Sequence, residues 1–192
     1  MSDKIFQNTN LEHSLIKFFK KNIKLIIVFL TALLLFFVTL IYIDNENKKK
    51  NISISNQYND ANILIKNNKN LKATDILLNI IEKKNRFYSP LSLYLILEND
   101  LEKKPEKILI LFDKVIKIKK IEKENKNLII IKKAFYLTKY GNEQEILSLL
   151  NPIINSNSIW RKEAILLLTE YFNSKSETKK AEEYYQLLSV IN

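Results

Sequence analysis

Nineteen residues from Leu25 to Ile43 carry no charge, no proline and no glycine, and Lys24 and Asp44 close the run on either side. As a helix this run is about 28 Å long at about 1.5 Å per residue. That length matches a bilayer hydrocarbon core of about 30 Å. A helix is the one single-segment structure that satisfies its own backbone in lipid, so the run is expected to be helical. Thr31 and Thr39 can bond back to main-chain carbonyls, and Tyr42 falls at the boundary where an amphipathic ring prefers the headgroup level. A buried core helix of a soluble protein is a poor alternative, because the run is apolar on every face. A cleaved signal peptide is a closer rival, since Lys17, Lys20, Lys21 and Lys24 precede the run. The run is longer than the usual signal core, however, and no small-x-small cleavage site comes after it. The reading is a signal anchor over residues 23–43, behind a short basic tail at 1–22. Residues 10–24 hold four lysines and residues 44–58 hold three. That excess leans toward a cytoplasmic N-terminus and an external C-terminal domain.

The chain beyond Ile43 is bounded by the residue types it lacks. The whole sequence has one glycine, Gly141, and three prolines, Pro90, Pro105 and Pro152. A β-rich fold needs glycine at its turns and bulges, and a phosphate-cradling loop needs several glycines close together. Neither is available, so an all-α domain is expected. There is no cysteine, which removes thiolate chemistry, cysteine metal sites and any disulfide framework. The only histidine is His13, before the span, so the domain has no imidazole for base catalysis or metal binding. No pair of carboxylates stands in a recognisable catalytic motif. An enzyme is therefore not expected, nor any cofactor or metal. The net charge is +10, of which +3 belongs to residues 1–24 and +7 to residues 44–192. Only Arg86 and Arg161 among the basic residues are arginine. Phosphate and base recognition favours arginine, so the lysines read as solvated helix faces and not as a nucleic-acid patch.

Residues 44–52, DNENKKKNI, read as a polar linker, and residues 53–192 as one domain. Within it a helical template recurs. Ala73, Ile76, Leu77, Ile80 and Ile81 stand at i, i+3, i+4, i+7 and i+8, as do Ile108, Leu111, Phe112, Val115 and Ile116, and again Ile146, Leu149, Leu150, Ile153 and Ile154. The fourth copy is Ala181, Tyr184, Tyr185 and Leu188. The copies start 35, 38 and 35 residues apart. A further helix precedes each: one with Tyr58, Ala61 and Ile65; one beginning near Pro90, with Leu91, Tyr94, Leu97 and Leu101; one with Leu128, Ile131, Ala134, Phe135 and Leu137; and one with Trp160, Ala164, Leu167, Leu168 and Tyr171. Breaks are expected at 67–70, 103–105, 141–142 and 173–177, with Gly141 as a left-handed terminator and Asn142 and Ser176 as N-caps. The organisation expected is eight helices in about four antiparallel pairs.

A helix-pair period near 34 residues is the tetratricopeptide signature. Ala73 and Ala181 take the close-packing position of the second helix, and Phe112 and Tyr185 the large position four residues later. The customary glycine of the first helix and the closing proline are absent from all four copies. A single N-terminal transmembrane helix followed by a tetratricopeptide-like α-solenoid resembles the ancillary Sec translocon subunit family of inner-membrane proteins. The segment NQYNDANILIKNNKNLKATDILLNII at 56–81 looks like that family's first helix pair. The segment SIWRKEAILLLTEYFNSKSETKKAEEYYQLLS at 158–189 looks like its closing pair. The resemblance implies a periplasmic domain on a single-pass inner-membrane protein. It further implies protein partners: the Sec translocon, a membrane-anchored periplasmic chaperone and exported chains. Candidate partner-binding residues are Tyr58, Tyr136, Tyr140, Trp160 and Tyr171, with Phe87 and Tyr88 beside them. The rival functions are a structural scaffold for another envelope complex, and a cytoplasm-facing domain binding nucleic acid or ribosomes through its lysines.

Overall fold

The computed structural model describes the backbone of residues 3–190 and the side chains of residue 17 and residues 20–189. The side chain of His13 lies outside the described residues. The described chain is all-helical: α1 (Asp3–Lys66), α2 (Asn70–Glu82), α3 (Tyr88–Glu98), α4 (Pro105–Ile116), α5 (Lys123–Tyr140), α6 (Glu143–Ile154), α7 (Arg161–Ser174) and α8 (Thr178–Gln186), closed by a short 3-10 turn at Leu187–Val190. No strand occurs among the described residues. The chain divides into two units, Met1–Ile52 and Ser53–Asn192.

The first unit contains the apolar run. From Leu25 to Ile43 every residue but the half-buried Ile26 is exposed, with Leu25, Phe29 and Tyr42 at 70%, 66% and 68%. One helix long and apolar enough to cross a membrane thus lies near the N-terminus. Thr31 and Thr39 donate to the carbonyls of Val28 and Phe36, at 2.9 and 2.7 Å, so neither hydroxyl disturbs the helix. Residues 44–52, expected as a linker, are helical. The reason is local. Asp44 pairs with Lys48 at 2.7 Å and Glu46 with Lys49 at 3.1 Å, both at helical spacing, and the segment contains no helix breaker.

The second unit holds two hydrophobic clusters. The first gathers Ala61 of α1 with Leu77, Leu93, Phe112 and Val115, and reaches α5 through Ile129. The second begins on α5 with Ala134 and Leu137 and continues through Leu150, Leu168, Phe172 and Ala181. From α2 onward consecutive helices pack on one another, most extensively α2 on α3 and α7 on α8. Helix α5 is the one element that gives fully buried side chains to both clusters.

Polar cross-ties join the helices. Lys133 on α5, only 9% exposed at its side chain, donates to Asp113 of α4 at 2.7 Å. Ser158, in the turn before α7, donates to Glu124 at 2.5 Å and accepts from Asn127 at 3.0 Å, which fixes the start of α5. Lys180 reaches Glu143 at 2.8 Å and Glu177 at 2.7 Å, and these two carboxylates raise its pKa above the ordinary lysine value.

Helix ends account for the scarcity of glycine differently than expected. Asn68, Lys84, Asp100 and Ser176 all take φ between 48° and 61°. After α1, α3 and α7 the next amide donates back across the turn, Lys69 to Leu64, Leu101 to Ile96 and Glu177 to Phe172, at 2.8, 3.0 and 2.9 Å. This is the Schellman closure, made without glycine. Gly141 does end α5, but in an extended conformation (φ −112°, ψ −173°) and not a left-handed one. Asn142 caps α6, its side chain accepting from the Glu145 amide at 2.9 Å. Ser176 is not an N-cap: it occupies the left-handed position closing α7, and Glu177 precedes α8.

Candidate functional site: a groove between α3 and α5

Two helices of the domain are apolar on more faces than packing requires. On α3 the buried residues are Ser89, Pro90, Ser92, Leu93 and Ile96. The apolar residues that the helical period marks on this helix, Leu91, Tyr94 and Leu97, are exposed or half-buried, Leu91 by 41%. On α5 the buried set is Asn127, Ile129, Lys133, Ala134 and Leu137, which leaves Leu128 half-buried and Phe135 58% exposed. The leftover apolar stripes of α3 and α5 line two hollows.

The smaller hollow, about 200 Å³, is lined by Arg86, Phe87, Pro90, Leu91 and Tyr94 from the α3 side and by Asn125, Leu128 and Ile129 from α5. The larger, about 520 Å³, takes Leu97 from α3, and Lys132, Phe135, Tyr136, Lys139 and Tyr140 from α5. The α3–α4 turn adds Asp100, Glu102 and Lys103, and α4 adds Ile108 and Phe112. Lining residues advance by three or four along each helix, so one face of each borders both hollows. Lys132 marks the border, its ammonium 4.9 Å from the centre of the Tyr94 ring.

The aromatic groups are ordered by mutual contact. Tyr136 and Tyr140 have ring centres 4.9 Å apart, and Phe112 lies 6.2 Å from Tyr136. Burial pushes the Tyr94 hydroxyl up to about 12. Burial first, and then Tyr140, Glu106 and Glu102, raise that of Tyr136. Both phenols therefore stay neutral donors at physiological pH. At the rim, the Arg86 guanidinium lies 4.5 Å from the Phe87 ring centre. Glu102 accepts from the amides of Lys103 and Lys104, both at 3.0 Å, and pairs with Lys107 at 3.4 Å. The Lys104 amide leads the causes that hold its carboxyl below the usual range.

Of the residues singled out in the sequence, Tyr136 and Tyr140 stand together in the larger hollow and Phe87 lines the smaller. Tyr58 and Tyr88 meet at a tilt with ring centres 5.7 Å apart, and the Tyr88 hydroxyl donates to Ser55 at 2.8 Å; neither ring lines a hollow. Trp160 is half-buried against the second cluster, with its indole N–H enclosed and unpaired. Tyr171 is only 7% exposed, edge-on to Phe172, so its ring serves the core and not a surface. Tyr185, expected to pack as Phe112 does, is 54% exposed where Phe112 is fully buried, because no further helix comes after α8 among the described residues to cover it. Sequence reasoning missed Lys132, Lys139 and Phe135 as groove residues. The available signal was that α5 carries apolar residues on more than one face.

Among the described residues no three histidine, cysteine, aspartate or glutamate side chains gather as a metal set. Comparison with protein-family models, with curated proteins and with solved structures finds no match to this chain.

Proposed function

We propose that this protein is a membrane-tethered protein-binding module whose docking surface is the α3–α5 groove. The carrying observation is the pair of hollows walled by exposed aromatics, Phe87, Phe135 and Tyr140, over an aliphatic floor. An apolar stripe left outside the core is costly to keep in water unless something covers it. Helix α1 anchors the chain in the membrane, with the lysine excess before the span favouring a cytoplasmic N-terminus and a periplasmic domain. The domain is read as a tetratricopeptide-like solenoid in which α1–α2, α3–α4, α5–α6 and α7–α8 are the pairs. Asn68, Asp100, Gly141 and Ser176, one in each turn within a pair, support that reading, as do the recurring second-helix templates. In such an array the first helices of neighbouring pairs border one groove, and α3 and α5 are two such helices. The finer reading is an ancillary factor of the Sec translocon working with periplasmic chaperones on exported chains. It rests on the resemblance of residues 56–81 and 158–189. No chemical step is assigned.

The test is photocrosslinking from intact membranes. A photoreactive residue replaces Phe135 or Tyr140 in the groove, or Leu71, which is 86% exposed on α2 and outside it. Translocon or chaperone adducts from the two groove positions and none from Leu71 would carry the proposal. Adducts only with other envelope proteins would favour the scaffold reading. Equal adducts from all three positions would remove the groove as the docking surface.

A further inference from the structure

From the charge around the groove we infer that its occupant is an acidic segment of another protein, bearing apolar side chains that fill the two hollows. The inference rests on the docking reading above. Four cations border the hollows: Arg86, Lys103, Lys132 and Lys139. None of them has a carboxylate within ion-pair distance among the described residues. Of the nearby carboxylates, Glu102 is already taken by two backbone amides and Lys107. Asp100 lines the larger hollow and Glu106 lies close enough to act on Tyr136, which leaves the rim with a positive excess. Lys132 and Lys139 stand two turns apart on one face of α5, about 10 Å along its axis. Carboxylates at that separation on a bound segment would meet both.

The same field rules against a second copy of this chain as the occupant. The chain carries +10, so two copies repel. A nucleic acid would meet the cations, but four of them, only one an arginine, are few for a phosphate backbone. The floors, with Leu91, Leu128 and Ile129 in one hollow and Leu97 and Ile108 in the other, suit aliphatic or aromatic side chains. Charge at the rim would set partner choice and on-rate more than affinity.

The experiment is selection of random displayed 12-residue peptides on the full chain in nanodiscs, reading the net charge of the enriched pool. The expected result is a pool shifted to net negative charge with recurrent apolar positions. Lys132→Glu with Lys139→Glu, both exposed and so compatible with folding, should shift the pool toward basic peptides. Phe135→Ser with Tyr140→Ser should cut enrichment at least tenfold. If that double change abolishes enrichment but the wild-type pool is neutral or basic, the groove reading stands and the acidic inference is overturned. If the wild type enriches nothing, or the Phe135/Tyr140 change leaves enrichment untouched, the docking reading itself fails. A 12-nucleotide poly(dT) that displaces the selected peptides at equal concentration would overturn the inference in favour of nucleic acid.

Discussion

Lys84 turns through the left-handed region at φ 53°, a conformation that costs an L-residue about 1–2 kcal/mol relative to glycine. Asn68 and Asp100 make the same turn more cheaply, because short polar side chains tolerate it. The chain's only glycine stands elsewhere, in an extended conformation that any residue adopts. Its reason is contact. A Cβ on Gly141 would lie 2.6 Å from Leu137 Cδ2 and 2.9 Å from Leu137 Cβ, and Leu137 is fully buried. The two sites therefore respond oppositely to exchange. Gly141→Ala should destabilise the domain by about 1–3 kcal/mol through overpacking. Lys84→Gly should stabilise it by about 1 kcal/mol, since relief of strain outweighs the added chain entropy. Urea unfolding of the two variants measures both. A neutral Gly141→Ala would show that Leu137 has room to move.

At the scale of the element, the α3–α4 turn carries a pH-dependent tie. Glu102 sits two residues before the N-cap of α4, where its charge meets two amides, the helix N-terminus and Lys107. Its folded pKa is lowered below the ordinary value of about 4.3. The stability it contributes is therefore present above that value and lost as pH falls through the folded pKa. Glu102→Gln keeps the shape and removes the charge. It should lower the urea midpoint at pH 7 by an amount that shrinks as the pH falls through the folded pKa, and a gap of the same size at every pH would assign the effect to shape. The elements themselves were legible. The templates at 73–81, 108–116 and 146–154 put their apolar residues into the core, because α2, α4 and α6 each have one apolar face. The groove was not legible, since α3 and α5 have apolar residues on several faces and periodicity does not say which face packs. Leu91, Tyr94 and Leu97 fit the helical period as well as Leu93 and Ile96 do. Only contact with α2 and α4 selects between them. The helical state of residues 44–52 was hidden by composition, because charge and asparagine read as linker unless ion-pair spacing is weighed.

At the scale of the whole molecule, the core and the apolar run draw on separate residues. The first buried residue among those described is Ile54, and no buried side chain of either cluster comes from residues before it. Removing residues 1–52 therefore takes nothing from the core. A fragment of residues 53–192 should keep its helical circular dichroism and its melting temperature within a few degrees of the full chain. It should no longer float with vesicles, because the run from Leu25 to Ile43 is gone. Occupancy by partner should fall with it. On the proposed docking reading, groove contacts of about micromolar strength would depend on the tether. Holding the groove at the membrane beside a membrane-bound partner raises the effective concentration, which favours such contacts. Crosslinking through Phe135 in cells, with the fragment exported behind a cleavable signal at the level of the intact chain, separates the two effects. Loss of adducts from a fragment that retains its melting temperature is the expected result. Equal adducts from both forms would show that the groove binds tightly by itself, and a fragment that melts early would show that the first unit supports the fold.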